Sequence, residues 1–96
     1  MRLFSFLAVA VNHSKPLLTL DCTPLRQRFL VRAVQAPPRA PEWAQWLEEI
    51  GFMPGEQVEL LARGAFGGDP LVVRVGLSTF ALRRAEAACV VVEASA

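Results

Sequence analysis

The sequence predicts a mainly β domain: a small, partly closed barrel with one short amphipathic helix between its first and second core strands and a helical turn near the C-terminus. Three observations carry this expectation. Short apolar runs rich in β-branched residues recur along the chain, glycine and proline punctuate them, and a single stretch switches to a clear helical period. That pattern argues for strands closing on one another rather than for a parallel α/β sheet. A chain of 96 residues supports one domain with a thin core. The expected division is an extension over 1–16 and a domain over 17–96.

In the extension, Arg2 precedes the apolar run Leu3 to Val11, and Ala8-Val9-Ala10 has the look of a small-residue cleavage site. Only about five residues precede that site, too few for the roughly 7 to 15 apolar residues of a signal peptide, and the run is far shorter than the ~20 that cross a bilayer. The segment reads as an added strand or an apolar flap. Arg28 to Val34 is β-branched, apolar and partly alternating, a strand that ends where Gln35-Ala36-Pro37-Pro38 removes backbone donors. Trp43, Trp46, Leu47 and Ile50 then fall at i, i+3, i+4 and i+7, on one face of a helix, with Glu42, Gln45 and Glu49 elsewhere. Pro41 suits the first turn, Glu42 the positive end of the dipole, and Gly51 the left-handed stop.

Phe52-Met53-Pro54-Gly55 predicts a tight turn of type II, in which proline presets φ and glycine takes the positive φ that follows. Val58, Leu60 and Ala62 alternate in the next strand, which runs through Gly64 towards Phe66. Gly67-Gly68-Asp69-Pro70 breaks the chain, and Leu71, Val73 and Val75 alternate in a second strand, making a hairpin with a longer loop. Gly76 marks a turn or bulge before a third strand, Ser78 to Leu82. Arg83 to Cys89 is alanine-rich and predicts a helical turn, and Val90 to Val92 closes the pattern as a strand.

Hydrophobic residues make up 53% of the chain, above the roughly 45–50% of an average soluble domain, and the excess suits a surface that serves a partner, a second copy of the chain included. Ten Lys plus Arg against nine Asp plus Glu leave a net charge of +1, a poor footprint for nucleic acid or an anionic membrane. Cys22 and Cys89 show neither CxxC spacing nor the density of a disulfide scaffold, which fits a reducing cytoplasm.

The chemistry of a catalyst is missing from the pattern. The single histidine, His13, lies in the extension without a nucleophile at a recognised spacing. Glu48 and Glu49 point about 100° apart on a helix and so do not face each other as an acid–base pair. Gly64 to Asp69 lacks the Lys-Ser/Thr end of a phosphate loop and is followed by a strand. No catalytic residue and no required cofactor is expected. His13 and Cys22 are weak candidates for a divalent transition metal, iron or zinc, since neither count nor spacing builds a closed site.

Among the aromatic residues, Trp46 is expected in the core with Leu47 and Ile50, and Trp43, near the helix start, at a partly exposed contact; core packing is the blander reading for both. Phe66 sits in a glycine-rich loop, where large side chains are seldom fully buried, and is expected to face a partner. Arg83 and Arg84 either close a strand end, pairing with Glu86, or meet an acidic patch on a partner.

Trp46 to Leu60, with its Ile50-Gly51-Phe52-Met53-Pro54-Gly55 core, then Gly67 to Val73, Phe80-Ala81-Leu82-Arg83 and Ala85-Glu86-Ala87 before a valine strand, resembles the FeoA family in motif order over about Leu18 to Glu93. The chain departs from the family pattern in its extension and in placing Leu25-Arg26-Gln27 where a glycine often precedes the first strand. The resemblance implies an SH3-like β-barrel in the cytoplasm, peripheral to the inner membrane through its partner, the large GTP-binding ferrous iron transporter FeoB. It implies no nucleic acid and no direct insertion into the membrane. The expected partner-binding set is Trp43, Phe52, Phe66, Asp69 and Arg83. Trp46, Leu47, Ile50, Gly51, Pro54, Gly55, Gly67, Gly68, Pro70 and Leu82 carry the structural motif. Two other binding readings stay open: a metal-sensing domain associated with a regulator, and a proline-peptide reader, which the absence of tyrosine disfavours.

Overall fold

Alternation along the apolar runs decides which side of each strand is buried. Phe29 and Val31, Val58 and Leu60, Leu71, Val73 and Val75, and Val90 and Val92 all point into one core, from which intervening residues are turned away. The computed structural model describes residues 16–95. Its elements are β1 (Leu17–Thr19), a 3-10 turn (Leu20–Cys22), β2 (Arg28–Val34), α1 (Glu42–Glu49), β3 (Gln57–Gly64), β4 (Gly68–Val75), β5 (Ser78–Leu82), α2 (Arg84–Ala87) and β6 (Val90–Ala94). The strands form one six-stranded sheet in the order β1-β6-β2-β3-β4-β5. Every pairing is antiparallel.

The sheet keeps β1 and β5 as edges, so its partial closure comes from curvature, not from pairing of the edges. Register shifts between Val31 and Ala33, between Leu60 and Ala62 and between Arg63 and Gly64 supply bulges that bend the strands. The bulge after Leu60 also turns Ala62 outwards, against the simple alternation expected there. At Gly64 β3 and β4 come so close that a Cβ would collide with the Asp69 carbonyl.

The helix ends as its sequence predicts, with Pro41 at the N-cap and Gly51 at φ +125°. The Phe52 N–H closes the turn on the Leu47 carbonyl at 3.0 Å. Leu47 is fully buried, and Trp43 and Ile50 pack beside it. Trp46, expected in the core, is instead 38% exposed. Trp43, Leu47 and Ile50 form the buried stripe, and Trp46, rotated about 100° from Leu47, lies at its margin. The next turn runs from Met53 to Glu56, with Gly55 at φ +94° and the Glu56 N–H on the Met53 carbonyl at 3.0 Å. Phe52 therefore precedes the turn and is swallowed by the core.

The β3–β4 loop is shorter than expected. β4 begins at Gly68, paired with Gly64, so Gly68, Asp69 and Pro70 extend the strand instead of breaking it. Pro70 falls within the register shift, where no ladder donor is required. β1 and the 3-10 turn have no counterpart in the sequence expectation. They bury Leu20 and are held from β3, where the Arg63 guanidinium donates to the carbonyls of Asp21 at 3.0 Å and Thr23 at 2.8 Å. Arg26, one of the residues standing where the family often has glycine, takes φ +64° and donates its N–H to the Leu60 carbonyl at 2.8 Å.

Candidate partner-binding surface

The hairpin tip combines a large exposed side chain with a braced backbone. Phe66 is 87% exposed. Gly67 and Gly68 hold φ of +65° and +84°, the left-handed values that let so short a connection reverse the chain. The Asp69 N–H donates to the Phe66 carbonyl at 3.1 Å, closing the tip. From the start of α2, the Arg84 N–H donates to Asp69 Oδ1 at 2.7 Å and the Arg84 guanidinium to the Gly67 carbonyl at 3.1 Å. Next to it, the Arg83 N–H donates to Glu86 Oε1 at 2.8 Å, which caps α2. With Gly67 and Asp69 both tied to Arg84, the backbone that carries Phe66 outwards has little conformational freedom left to lose on binding.

The five residues expected to contact a partner thus part company. Phe66, Asp69 and Arg83 come together at the tip and α2, where Phe66 and Arg83 are exposed. Asp69 is half-buried and accepts the Arg84 N–H on Oδ1, so its carboxylate takes part in holding the tip. Trp43 is half-buried on α1, which packs on β2, and Phe52 is fully buried. Burial removes Phe52 from any surface set. Arg84, whose side chain and backbone brace the tip, was equivocal in sequence; its pairing with Asp69 and Gly67 spans residues too distant along the chain for a local pattern to reveal.

The cysteines differ in kind. Cys22 is exposed, its sulfur 3.7 Å from the Thr19 hydroxyl, which donates to Asp21 Oδ1 at 2.6 Å. Cys89 is buried with its thiol directed at the Ala85 carbonyl at 3.4 Å. Burial, with Glu86 and Asp21 adding to it, pushes the Cys89 pKa up, which keeps it a thiol rather than the thiolate that ligates metal or attacks. Among the described residues no group of three or more His, Cys, Asp or Glu side chains is placed to hold a metal. His13 lies outside the described residues. No described helix is long and apolar enough to cross a membrane.

The FeoA domain model matches residues 18–94. FeoA from Stenotrophomonas maltophilia, solved as a zinc complex and described as a prokaryotic SH3 domain protein and candidate ferrous iron transport activating factor, is 44% identical, with 78% of this chain and 88% of that one covered at a TM-score of 0.71. FeoA from Chlorobium tepidum is 28% identical over 82% of this chain and 71% of its own, at a TM-score of 0.68. Iron(II) transport protein A from Clostridium thermocellum is 26% identical over 80% of this chain and 45% of its own, at a TM-score of 0.67. A manganese-dependent transcriptional repressor, 20% identical at a TM-score of 0.71, shares the fold. No curated protein matches the chain at a significant level. With its six-stranded SH3-like sheet, its helix ending in Gly-Phe-Met-Pro-Gly and a family match over nearly all of the described residues, this chain belongs to the FeoA family.

Proposed function

We propose that the protein is a non-enzymatic adaptor that docks onto a GTP-binding membrane transporter of ferrous iron from the cytoplasmic side and shifts its conformational or nucleotide cycle. One observation supports this reading above the others: a phenylalanine 87% exposed on a tip that Arg84 braces. A bare aromatic on a rigid support is the form a binding hot spot takes. The shift in the transporter follows if the adaptor binds one of its states more tightly than another, and the effect cannot exceed that difference in affinity.

The test is binding of the purified protein to the full-length transporter in nanodiscs with a GTP analogue, with GDP and without nucleotide. Saturable binding that changes with nucleotide, and weakens by about tenfold or more in Phe66→Ala, is the expected result. Absence of binding in all three states would sink the reading. The zinc in the 44% identical relative supports a second reading, a weak divalent-metal interaction that is not required for folding. Zinc titration followed by calorimetry checks it, with a millimolar or weaker isotherm expected.

A further inference from the structure

Arg28, Glu59 and Arg74 stand opposite one another on β2, β3 and β4. Opposed residues share one face of a sheet, and this row faces away from the buried row Phe29, Val58 and Val75. Two adjoining depressions meet at Arg28 and Glu59: Gln57 and Arg74 line one, Arg26 and Ser95 the other. Three guanidiniums therefore border a concave surface lined by the Glu59 carboxylate, with the Glu56 carboxylate beside Gly76 at its edge.

Among the other described arginines, Arg32 pairs with Glu93 at 2.6 Å and Arg63 and Arg84 donate to backbone carbonyls, while Arg39 and Arg83 make no ion pair but line neither depression. Among the described residues Arg26, Arg28 and Arg74 make no ion pair and no side-chain hydrogen bond to the protein. Their charge is left facing outwards from a hollow, and that hollow is the place on the sheet where an anionic group finds donors on more than one side.

We propose that this surface receives an extended acidic segment of a protein partner, with its carboxylates straddling Glu59. The spacing chooses between ligands. Arg28 and Arg74 lie two strand intervals apart, about 10 Å between backbones, so one phosphate group reaching both would sit against the Glu59 carboxylate. Alternate residues of an extended chain are about 6.5–7 Å apart, and the flexible arginine stems take up the difference. An acidic strand thus meets both flanking guanidiniums and leaves Glu59 between its side chains. The owner of the segment, the cytoplasmic part of the transporter, rests on the adaptor reading above; the acidic chemistry does not.

The experiment titrates the full chain, labelled with nitrogen-15, with hexaglutamate, hexalysine and inorganic phosphate. Hexaglutamate is expected to give saturable amide shifts around Arg28, Glu59 and Arg74, weakened about tenfold in Arg28→Glu/Arg74→Glu and progressively by salt, while hexalysine gives none. An Arg28→Gln/Arg74→Gln pair serves if the reversed charges impair folding, and Arg39→Glu is the control that leaves binding intact. Shifts that fall elsewhere, no shifts at all, or equal saturation by phosphate alone would overturn the proposal. The same variants are then bound to the transporter in nanodiscs. If wild type binds and the double variant binds equally well, the surface assignment is wrong and the adaptor reading survives. If hexaglutamate binds at the row but the transporter does not bind, the adaptor reading falls and the surface stands.

Discussion

The exit of α1 and the tip of the β3–β4 hairpin are both tight turns that contain positive-φ glycines and one phenylalanine, yet they treat that ring in opposite ways. At the helix exit the chain runs alongside β2 and extends its pairing with β3: the Gly55 N–H donates to the Val31 carbonyl and the Val31 N–H to the Glu56 carbonyl, both at 2.9 Å. This clamp draws Phe52 inwards beside Leu47. At the hairpin tip the bracing comes from one side only, through Arg84, and no second layer covers Phe66. Turn chemistry fixes the path of the backbone in both places. Whether the ring is core or contact depends on what the neighbouring strands place above it.

The sharpest way to break this comparison is Phe52→Ala, which empties a fully buried site and should cost about 3–5 kcal/mol in equilibrium urea unfolding. A cost under about 1 kcal/mol would mean that the helix exit does not hold its ring in the core. Next in size is Gly64→Ala, which drives a methyl group into the Asp69 carbonyl across the bulge and should destabilise by about 1–3 kcal/mol, read as a lowered melting temperature. A neutral outcome would show that the base of the hairpin opens freely and that its tip is not rigidly held. The smallest effect belongs to Phe66→Ala, expected to lie within about 0.5 kcal/mol of wild type in the same unfolding measurement. A loss larger than about 1 kcal/mol would place the Phe66 ring against the protein and erase the contrast with Phe52.

Sequence pattern was sufficient where an element carries its own periodicity. β2 occupies Arg28 to Val34 as the apolar run indicates, α1 follows the i, i+3, i+4, i+7 spacing, and the Pro-Gly pair makes its turn. What escaped is built by partners far along the chain. β1 is three residues long and exists by pairing with β6, and the 3-10 turn after it is held by Arg63, about forty residues on. Trp46 sits on the predicted helical face but beyond the narrower stripe that touches the sheet. Asp69 has its partner at Arg84, on an element that sequence places only as a helical turn. The basic row is invisible until strand register puts Arg28, Glu59 and Arg74 side by side.

Arg26 carries a consequence of another sort. At φ +64° a residue with a Cβ gives up roughly 1–2 kcal/mol that glycine would keep. The same side chain borders the basic depression. On the acidic-partner proposal, heat resistance and adhesiveness therefore pull this position in opposite directions: a glycine makes the sturdier scaffold, the arginine the stickier one.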